Sequence, residues 1–170
     1  MRNKRRAKSI FCEYREMDGP QKAVWGPALW MLLHSSAERF GSHSLRRLPE
    51  EEIRIWKGLL ASFRYSLPCP RCKSHYTEYL ARHPMTWNKE RLRAWLHALH
   101  SQVNQHRPGM ADLSLDQVEN QYSVPFHFSK LVAVIQEHMQ RGIAHGVVTR
   151  EDMQRSLRLF EEMKRYYDFF

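Results

Sequence analysis

The sequence predicts an all-α protein of four long helices, a short fifth helix and a C-terminal helical pair. Apolar residues recur at helical spacing along each of these segments, as in helices that bury one face. No alternation of apolar and polar residues, the pattern of a half-buried strand, continues beyond about four residues. Hydrophobic residues make up 42% of the 170 residues, so the chain can bury a substantial core.

Proline marks the beginning of the first two predicted helices. Pro27 suits a first helical turn, where its missing N–H is not needed, and Gly41 is a suitable end for that segment. Pro49 begins a second helix, because the three glutamates after it are favoured by the positive end of the helix dipole. The stripes expected to be buried are Leu29, Trp30, Leu33, Ala37 and Phe40 on the first helix, and Ile53, Trp56, Leu59, Leu60 and Phe63 on the second.

The third and fourth predicted helices carry most of the residues that are candidates for catalysis or cofactor binding. Two prolines bracket Cys69, so a helix is expected to begin there and to run to about Arg82, since a proline lies two residues further on. Thr86 or Asn88 caps a fourth helix, which ends before the Pro-Gly pair at residues 108–109. The stripe expected to be buried on the fourth helix is Leu92, Trp95, Leu96, Leu99 and Val103.

The remaining helices are predicted from their first residues. Ser114 and Gln117 have the spacing of a capping box and open a short fifth helix that reaches Tyr122. The helical pattern then resumes and stops near Gly142. A last helix opens at Thr149, which an acidic residue follows three positions later.

The charge balance of the chain is basic. Lysine and arginine number 27 against 18 aspartates and glutamates, a formal net charge of +9. Residues 2–8 are rich in these cations, so residues 1–21 are expected to form a flexible basic tail. Elsewhere basic residues are mixed with acidic ones, which makes nucleic-acid binding the weaker hypothesis beside a phosphate-bearing cofactor. No apolar run matches a membrane span and no apolar segment of a secretory signal follows the basic start, so a cytoplasmic location is expected.

Two of the three cysteines, Cys69 and Cys72, lie one helical turn apart. Three cysteines cannot all pair within one chain, so a structural disulfide scaffold is excluded. The pair could be a thioredoxin-like motif, although no strand precedes it; a zinc site with His75 and His83; or a redox dithiol that passes electrons to a flavin. Because a helix N-terminus lowers a thiol pKa, Cys69 is expected to be the exposed, exchanging sulfur and Cys72 its buried partner.

Histidine-bearing segments on apolar helix faces lie on both sides of this pair in the sequence. His34, on the first helix, is by itself more often a core histidine with satisfied hydrogen bonds. His100 and Asn104 share a face of the fourth helix because they are four residues apart, a spacing that is also common by chance. The combination indicates a helical bundle that holds a planar redox cofactor beside a dithiol.

These segments, taken in order, resemble the Erv/ALR family of FAD-linked sulfhydryl oxidases. The family pattern W-x3-H-x2-A is met at residues 30–37 and C-x2-C at residues 69–72. The pattern H-N-x-V-N is met at residues 100–104, with Ser101 in place of its first asparagine. The resemblance covers about residues 22–122, and the missing extra cysteines and small size look most like the members encoded by large DNA viruses.

The resemblance implies a bundle of four helices plus a short fifth that holds FAD without a covalent bond, usually in a homodimer. It implies an enzyme that oxidises protein dithiols or a thioredoxin-like relay protein and reduces O2 to H2O2. By position, Cys72 would face the flavin and Cys69 would exchange with the substrate thiol. The residues implied to contact the cofactor are Gly26, Trp30, His34, His97, His100, Val103, Asn104, Arg107 and Tyr122.

Some features depart from the family pattern. The family's second, structural disulfide has no counterpart, since Ala81 and Leu115 occupy its approximate positions. Cys12 is a lone cysteine that could form a mixed disulfide, link two subunits or have no redox role. An FAD-binding domain is expected over residues 22–124, and residues 125–170 are expected to pack on the core or at a dimer interface. The alternative function is a zinc-stabilised helical interaction module with a basic surface.

Overall fold

A computed structural model describes residues 19–42, 47–105, 109 and 112–170. These residues form seven α-helices and no strand, which confirms the predicted all-α class. Cys12 and Arg107 lie outside the described residues. The helices are α1 (Lys22–Ala37), α2 (Pro49–Ser66), α3 (Pro70–Arg82), α4 (Lys89–Asn104), α5 (Leu115–Tyr122), α6 (Phe128–Ala144) and α7 (Arg150–Tyr167).

The caps of four helices confirm the starts that the sequence predicts. α3 begins after Cys69 and α4 begins after Asn88, and each of these side chains accepts a backbone N–H from the first turn. α5 begins with the predicted capping box between Ser114 and Gln117, in which each side chain bonds the backbone N–H of the other residue. α7 begins after Thr149, whose hydroxyl caps it. Local sequence therefore determines where these helices begin.

The start of α1 differs from the prediction. The helix begins at Lys22, so Pro27 lies in its interior and not in its first turn. The backbone N–H of Gln21, just before the helix, donates to Nδ1 of His138 on α6 at 3.0 Å. Because this distant residue satisfies a donor at the helix start and Trp25 is buried, tertiary packing extends α1 beyond what the local sequence indicates.

The last two helices pack against the first two. α6 lies along α1, and α7 lies along α2. Between α2 and α7, the Ser156 hydroxyl oxygen is 2.7 Å from those of Ser62 and Ser66, and the Trp56 indole N–H donates to the Tyr167 hydroxyl at 2.9 Å. The largest fully buried side chains come from both halves of the chain; they include Trp56, Phe63, Phe128, Phe160, Leu32, Leu92, Ile135 and Met163.

No helix within the described ranges has both the length and the apolar character required to cross a membrane.

Candidate active site

Cys69 and Cys72 form a disulfide at the start of α3. Their sulfurs are bonded, their Cα atoms are 5.1 Å apart, and the Cys72 N–H donates to Cys69 Sγ at 3.1 Å. Leu67 and Pro68, just before the pair, are buried, whereas both cysteines are half-buried. The two residues therefore do not show the expected contrast between an exposed Cys69 and a buried Cys72, because the first turn, including the exposed Arg71, reaches the surface.

The face of α3 that carries Cys72 continues with Tyr76, Tyr79 and His83. The Tyr76 hydroxyl donates to the backbone carbonyl of Leu60 at 2.7 Å, and the rings of Tyr79 and His83 stack with centroids 4.1 Å apart. The family patterns in the sequence place no tyrosine from this helix at the cofactor site. Intervals of four, three and four residues from Cys72 place these side chains on one helix face, and that spacing is the signal that could have identified them.

Four flat side chains from α1, α4 and α5 form an aromatic wall. Trp30 and His100 are stacked almost parallel, with ring centroids 4.1 Å apart and an angle of 9° between their planes. His34 is stacked on Tyr122 with centroids 4.7 Å apart. A ring nitrogen of His34, Nε2, is 3.1 Å from Nδ1 of His100, so one imidazole donates and the other accepts. We call Trp30, His34, His100 and Tyr122 the aromatic wall.

His34 is the most buried member of the aromatic wall and is only 2% exposed. Burial is the main cause of its lowered pKa, about 3, since a charged imidazole would lose its hydration. The nearby His100, His97 and Arg93 act in the same direction. His34 is therefore neutral at physiological pH. It can form its hydrogen bond with His100 without placing a charge in the buried wall.

Arg93 and His97 on α4 fix the elements that surround the aromatic wall. The Arg93 guanidinium donates to Glu38, which follows α1, at 2.8 Å and to Glu119 on α5 at 3.0 Å. The His97 ring nitrogen Nε2 donates to the Leu113 carbonyl, just before α5, at 2.5 Å. Because α5 carries Tyr122, these bonds hold α1, α4 and α5 together around the wall.

A cleft of about 1120 Å³ connects the disulfide to the aromatic wall. It exceeds the range of roughly 300–1,000 Å³ common for small-molecule sites. His34 does not line it and lies behind His100 and Tyr122, whereas Arg107 is outside the described residues. The other predicted site residues all line the cleft: Gly26, Trp30, Cys69, Cys72, His97, His100, Val103, Asn104 and Tyr122.

The zinc alternative lacks the ligand arrangement that it requires. The two sulfurs are bonded to each other, and two thiolates are needed for a site of the Cys2His2 kind. His83 donates through Nδ1 to the Tyr79 carbonyl at 3.0 Å. Over the part of the chain that the structure describes, no three His, Cys, Asp or Glu side chains are grouped so that they could hold a metal ion.

The chain is similar to proteins of one family. The Erv1 / Alr family model matches residues 27–123. An FAD-linked sulfhydryl oxidase of African swine fever virus is 37% identical over 81 residues, which cover 47% of this chain and 65% of the viral protein. A probable FAD-linked sulfhydryl oxidase of Acanthamoeba polyphaga mimivirus is 29% identical over 47% of this chain and 56% of its own length. The mitochondrial FAD-linked sulfhydryl oxidase of Saccharomyces cerevisiae is 28% identical over 54% of this chain and 47% of its own length. No solved structure matches the chain.

Proposed function

Because the chain belongs to the Erv1 / Alr family, we propose that it is an FAD-dependent sulfhydryl oxidase. The reaction converts two thiols of a protein to a disulfide and reduces O2 to H2O2. The observation that carries the proposal is that the Cys69–Cys72 disulfide and three members of the aromatic wall, Trp30, His100 and Tyr122, line one cleft within the segment matched by the family. The match covers less than two thirds of the length of each relative above, so activity, substrates and partners are part of this proposal.

The groups that line the cleft fit FAD. Flat rings such as Trp30 and His100 can stack on an aromatic ring system. Lys22, Arg71 and Arg82 bring positive charge that can face a pyrophosphate, and side-chain amides can bind sugar hydroxyls. When bound, FAD supplies a two-electron acceptor that can pass its electrons to oxygen.

The cysteine pair performs the exchange with the substrate. A substrate thiolate attacks one sulfur of the Cys69–Cys72 disulfide, and this bond breaks with its electron pair on the other cysteine. A second substrate thiolate then attacks the mixed disulfide, and the substrate leaves oxidised. Both cysteines are then thiolates or thiols and hold the two electrons. On the basis of the family resemblance, we propose that the substrate thiolate attacks Cys69 Sγ and that Cys72 is the cysteine that faces the flavin.

The same cleft indicates which residues would hold FAD. We propose that Trp30 and His100 stack on a ring of the cofactor, because they are parallel and line the cleft. His34 would support His100 and Tyr122 from behind. Arg107 is proposed as an FAD contact on the basis of the family resemblance alone. The remaining proposed contacts from the cleft wall are Gly26, His97, Val103, Asn104 and Tyr122.

The partners and location follow from the resemblance. We propose protein dithiols or a thioredoxin-like relay protein as the substrates, and a homodimer as the assembly; the mass of the protein in solution tests the latter. A cytoplasmic location is proposed from the likeness to viral oxidases; for a viral protein, an assembly site or the particle would also fit. The FAD-binding domain is proposed to span residues 22–124, which the family match at 27–123 supports. Residues 125–170 are proposed as an extension packed on that domain.

One absorbance spectrum and one oxygen measurement test the proposed function. The purified protein is expected to be yellow, with the spectrum of a bound flavin, and to consume oxygen when dithiothreitol is added. Heat release of the pigment, followed by chromatography, would identify it as FAD. A colourless protein that does not bind added FAD would contradict the proposal, and one equivalent of zinc per chain would favour the alternative module.

Gly26→Val is expected to weaken FAD binding by about tenfold or more, since overpacking costs about 1–3 kcal/mol. Gly26 is buried in α1 and lines the cleft, yet a Cβ there meets no atom nearer than Lys22 Cγ at 4.0 Å. The added side chain would therefore occupy ligand space without disturbing the packed core. Titration of the flavin-free protein with FAD measures the effect.

Ala23→Val is the matched control, because Ala23 lies on the exposed face of the same helix. It should leave the affinity for FAD unchanged. Equal affinities of the Gly26→Val variant and the unmodified protein would show that FAD does not approach this part of α1.

A further inference from the structure

The turn between α6 and α7, residues 145–149, contacts the segment that carries the disulfide. The Val147 carbonyl accepts a hydrogen bond from the Lys73 ammonium group, and Lys73 directly follows Cys72. The backbone N–H groups of residues 147 and 148 both donate to the Gly142 carbonyl, which closes the turn onto the end of α6. A part of the chain outside the family match thus bonds to the first turn of α3.

The same end of α6 packs closely on the residue before the pair. A Cβ at Gly142 would lie 3.2 Å from Cβ of Pro68 and 3.0 Å from Cγ2 of Val148, so any larger residue must displace one of them. Pro68 is buried and directly precedes Cys69. The disulfide segment is therefore contacted on both sides of the pair by the region around the α6–α7 turn.

The side chain of Lys73 lies where its ammonium group loses part of its hydration. Its side chain is half-buried, whereas lysines usually keep the ammonium group in water. Burial lowers the pKa of Lys73 from its ordinary value of 10.5, and the charge of Asp152 opposes this effect. The Lys73 backbone N–H also donates to the Cys69 carbonyl at 3.0 Å, so the residue belongs to the first turn of α3. The bond to Val147 thus fixes the side chain of a cationic residue whose backbone belongs to the first turn of α3.

We propose that the α6–α7 turn positions Lys73 so that its charge stabilises the thiolate formed when the disulfide is attacked. This inference rests on the proposed thiol oxidation. When a substrate thiolate bonds to Cys69 Sγ, the Cys69–Cys72 bond breaks and its electron pair stays on Cys72 as a thiolate. A nearby cation lowers the pKa of that leaving thiol, and a thiol of lower pKa leaves faster and makes the disulfide more easily reduced. Lys73 is thus a positioning and electrostatic residue, and Gly142 allows the turn to reach it.

The test is the equilibrium of the disulfide with glutathione, without oxygen, in the purified flavin-containing protein. Alkylation followed by peptide mass measurement gives the fraction of Cys69 and Cys72 in the dithiol form. Lys73→Met keeps the length of the side chain and removes its charge. It should shift the equilibrium towards the disulfide by about two- to fivefold, the effect of one charge near a helix end. Lys73→Arg should restore most of the unmodified value, because it retains a cation and a donor.

Gly142→Val tests the role of the turn. It should shift the equilibrium in the same direction as Lys73→Met, because the turn can no longer hold the ammonium group in place. Gly58→Val is the matched control: a Cβ at Gly58 lies 2.9 Å from a Leu159 methyl carbon, between α2 and α7, so it overpacks without touching the disulfide segment. It should leave the equilibrium unchanged. Should Gly142→Val fail to fold, the two Lys73 variants decide alone.

An unchanged equilibrium in Lys73→Met, or in a folded Gly142→Val variant, would overturn the inference. So would a Gly58→Val shift as large as that of Gly142→Val. These outcomes are separable from failure of the proposed function, because the glutathione equilibrium requires no oxygen turnover. A flavin-bearing oxidase with identical equilibria in all variants retains the proposed function and loses only the role of the turn.

Discussion

Cys72→Ser is expected to reduce oxygen consumption with dithiothreitol to the level measured without enzyme, while FAD remains bound. Serine differs from cysteine by one atom, so the cleft keeps its shape and its aromatic wall. A hydroxyl cannot form the disulfide that accepts electrons from the substrate, and Cys69 alone can reach only a mixed disulfide. Oxygen uptake and the flavin spectrum, measured on the same sample, separate the two effects.

Cys69→Ser should have the same effect on turnover and little effect on folding. Cys69 caps α3 by accepting the Cys72 N–H, and serine is among the residues preferred at that position. Loss of a cross-link that closes so short a loop costs about 2 kcal/mol in the chain-entropy model, so a cooperative thermal transition should persist. Cys12→Ser is the control and should retain activity on a small dithiol. Appreciable oxygen uptake by either variant of the pair would show that the electrons enter elsewhere.

The local sequence predicts where four of the helices begin because their N-terminal caps are local. Asn88, the Ser114–Gln117 capping box and Thr149 act within one turn of their own helix, so spacing alone identifies them. The prediction of Pro27 in a first turn is wrong because α1 begins at Lys22, where His138, on a helix near the other end of the chain, accepts the Gln21 N–H. Such a contact leaves no trace in the local pattern.

In the candidate site too, the sequence identifies some residues, whereas contacts between distant parts of the chain leave no sequence pattern. Family patterns identify Trp30 and His100, which do line the cleft, whereas their parallel stacking depends on how α1 and α4 cross. Tyr79 and His83 could have been found from their spacing along α3. The bond from Lys73 to Val147 could not, because 74 positions separate the two residues and no pattern relates them.

His34 should make the folded protein less stable as the pH falls below 7. Its pKa is about 3 in the folded chain and near 6.5 when unfolded, so between these values the unfolded state binds the proton. Stability from this residue is complete above pH 6.5 and is lost progressively towards pH 3. The linkage relation gives a loss of about 2 kcal/mol between pH 7 and pH 5. Urea unfolding at the two values, with FAD concentration held constant, measures it.

Substitution of His34 separates its contribution from that of the other buried histidine. His34→Phe preserves a flat ring against Tyr122 and cannot take up a proton, so most of the loss between pH 7 and pH 5 should disappear. His138, 3% exposed, also has a lowered pKa, because burial and Arg141 outweigh the opposing effect of Glu137. His138→Gln keeps an acceptor for the Gln21 N–H and should remove a separate part of the loss. If His34→Phe loses as much stability as the unmodified protein over this range, His34 is not the buried neutral base that the aromatic wall requires.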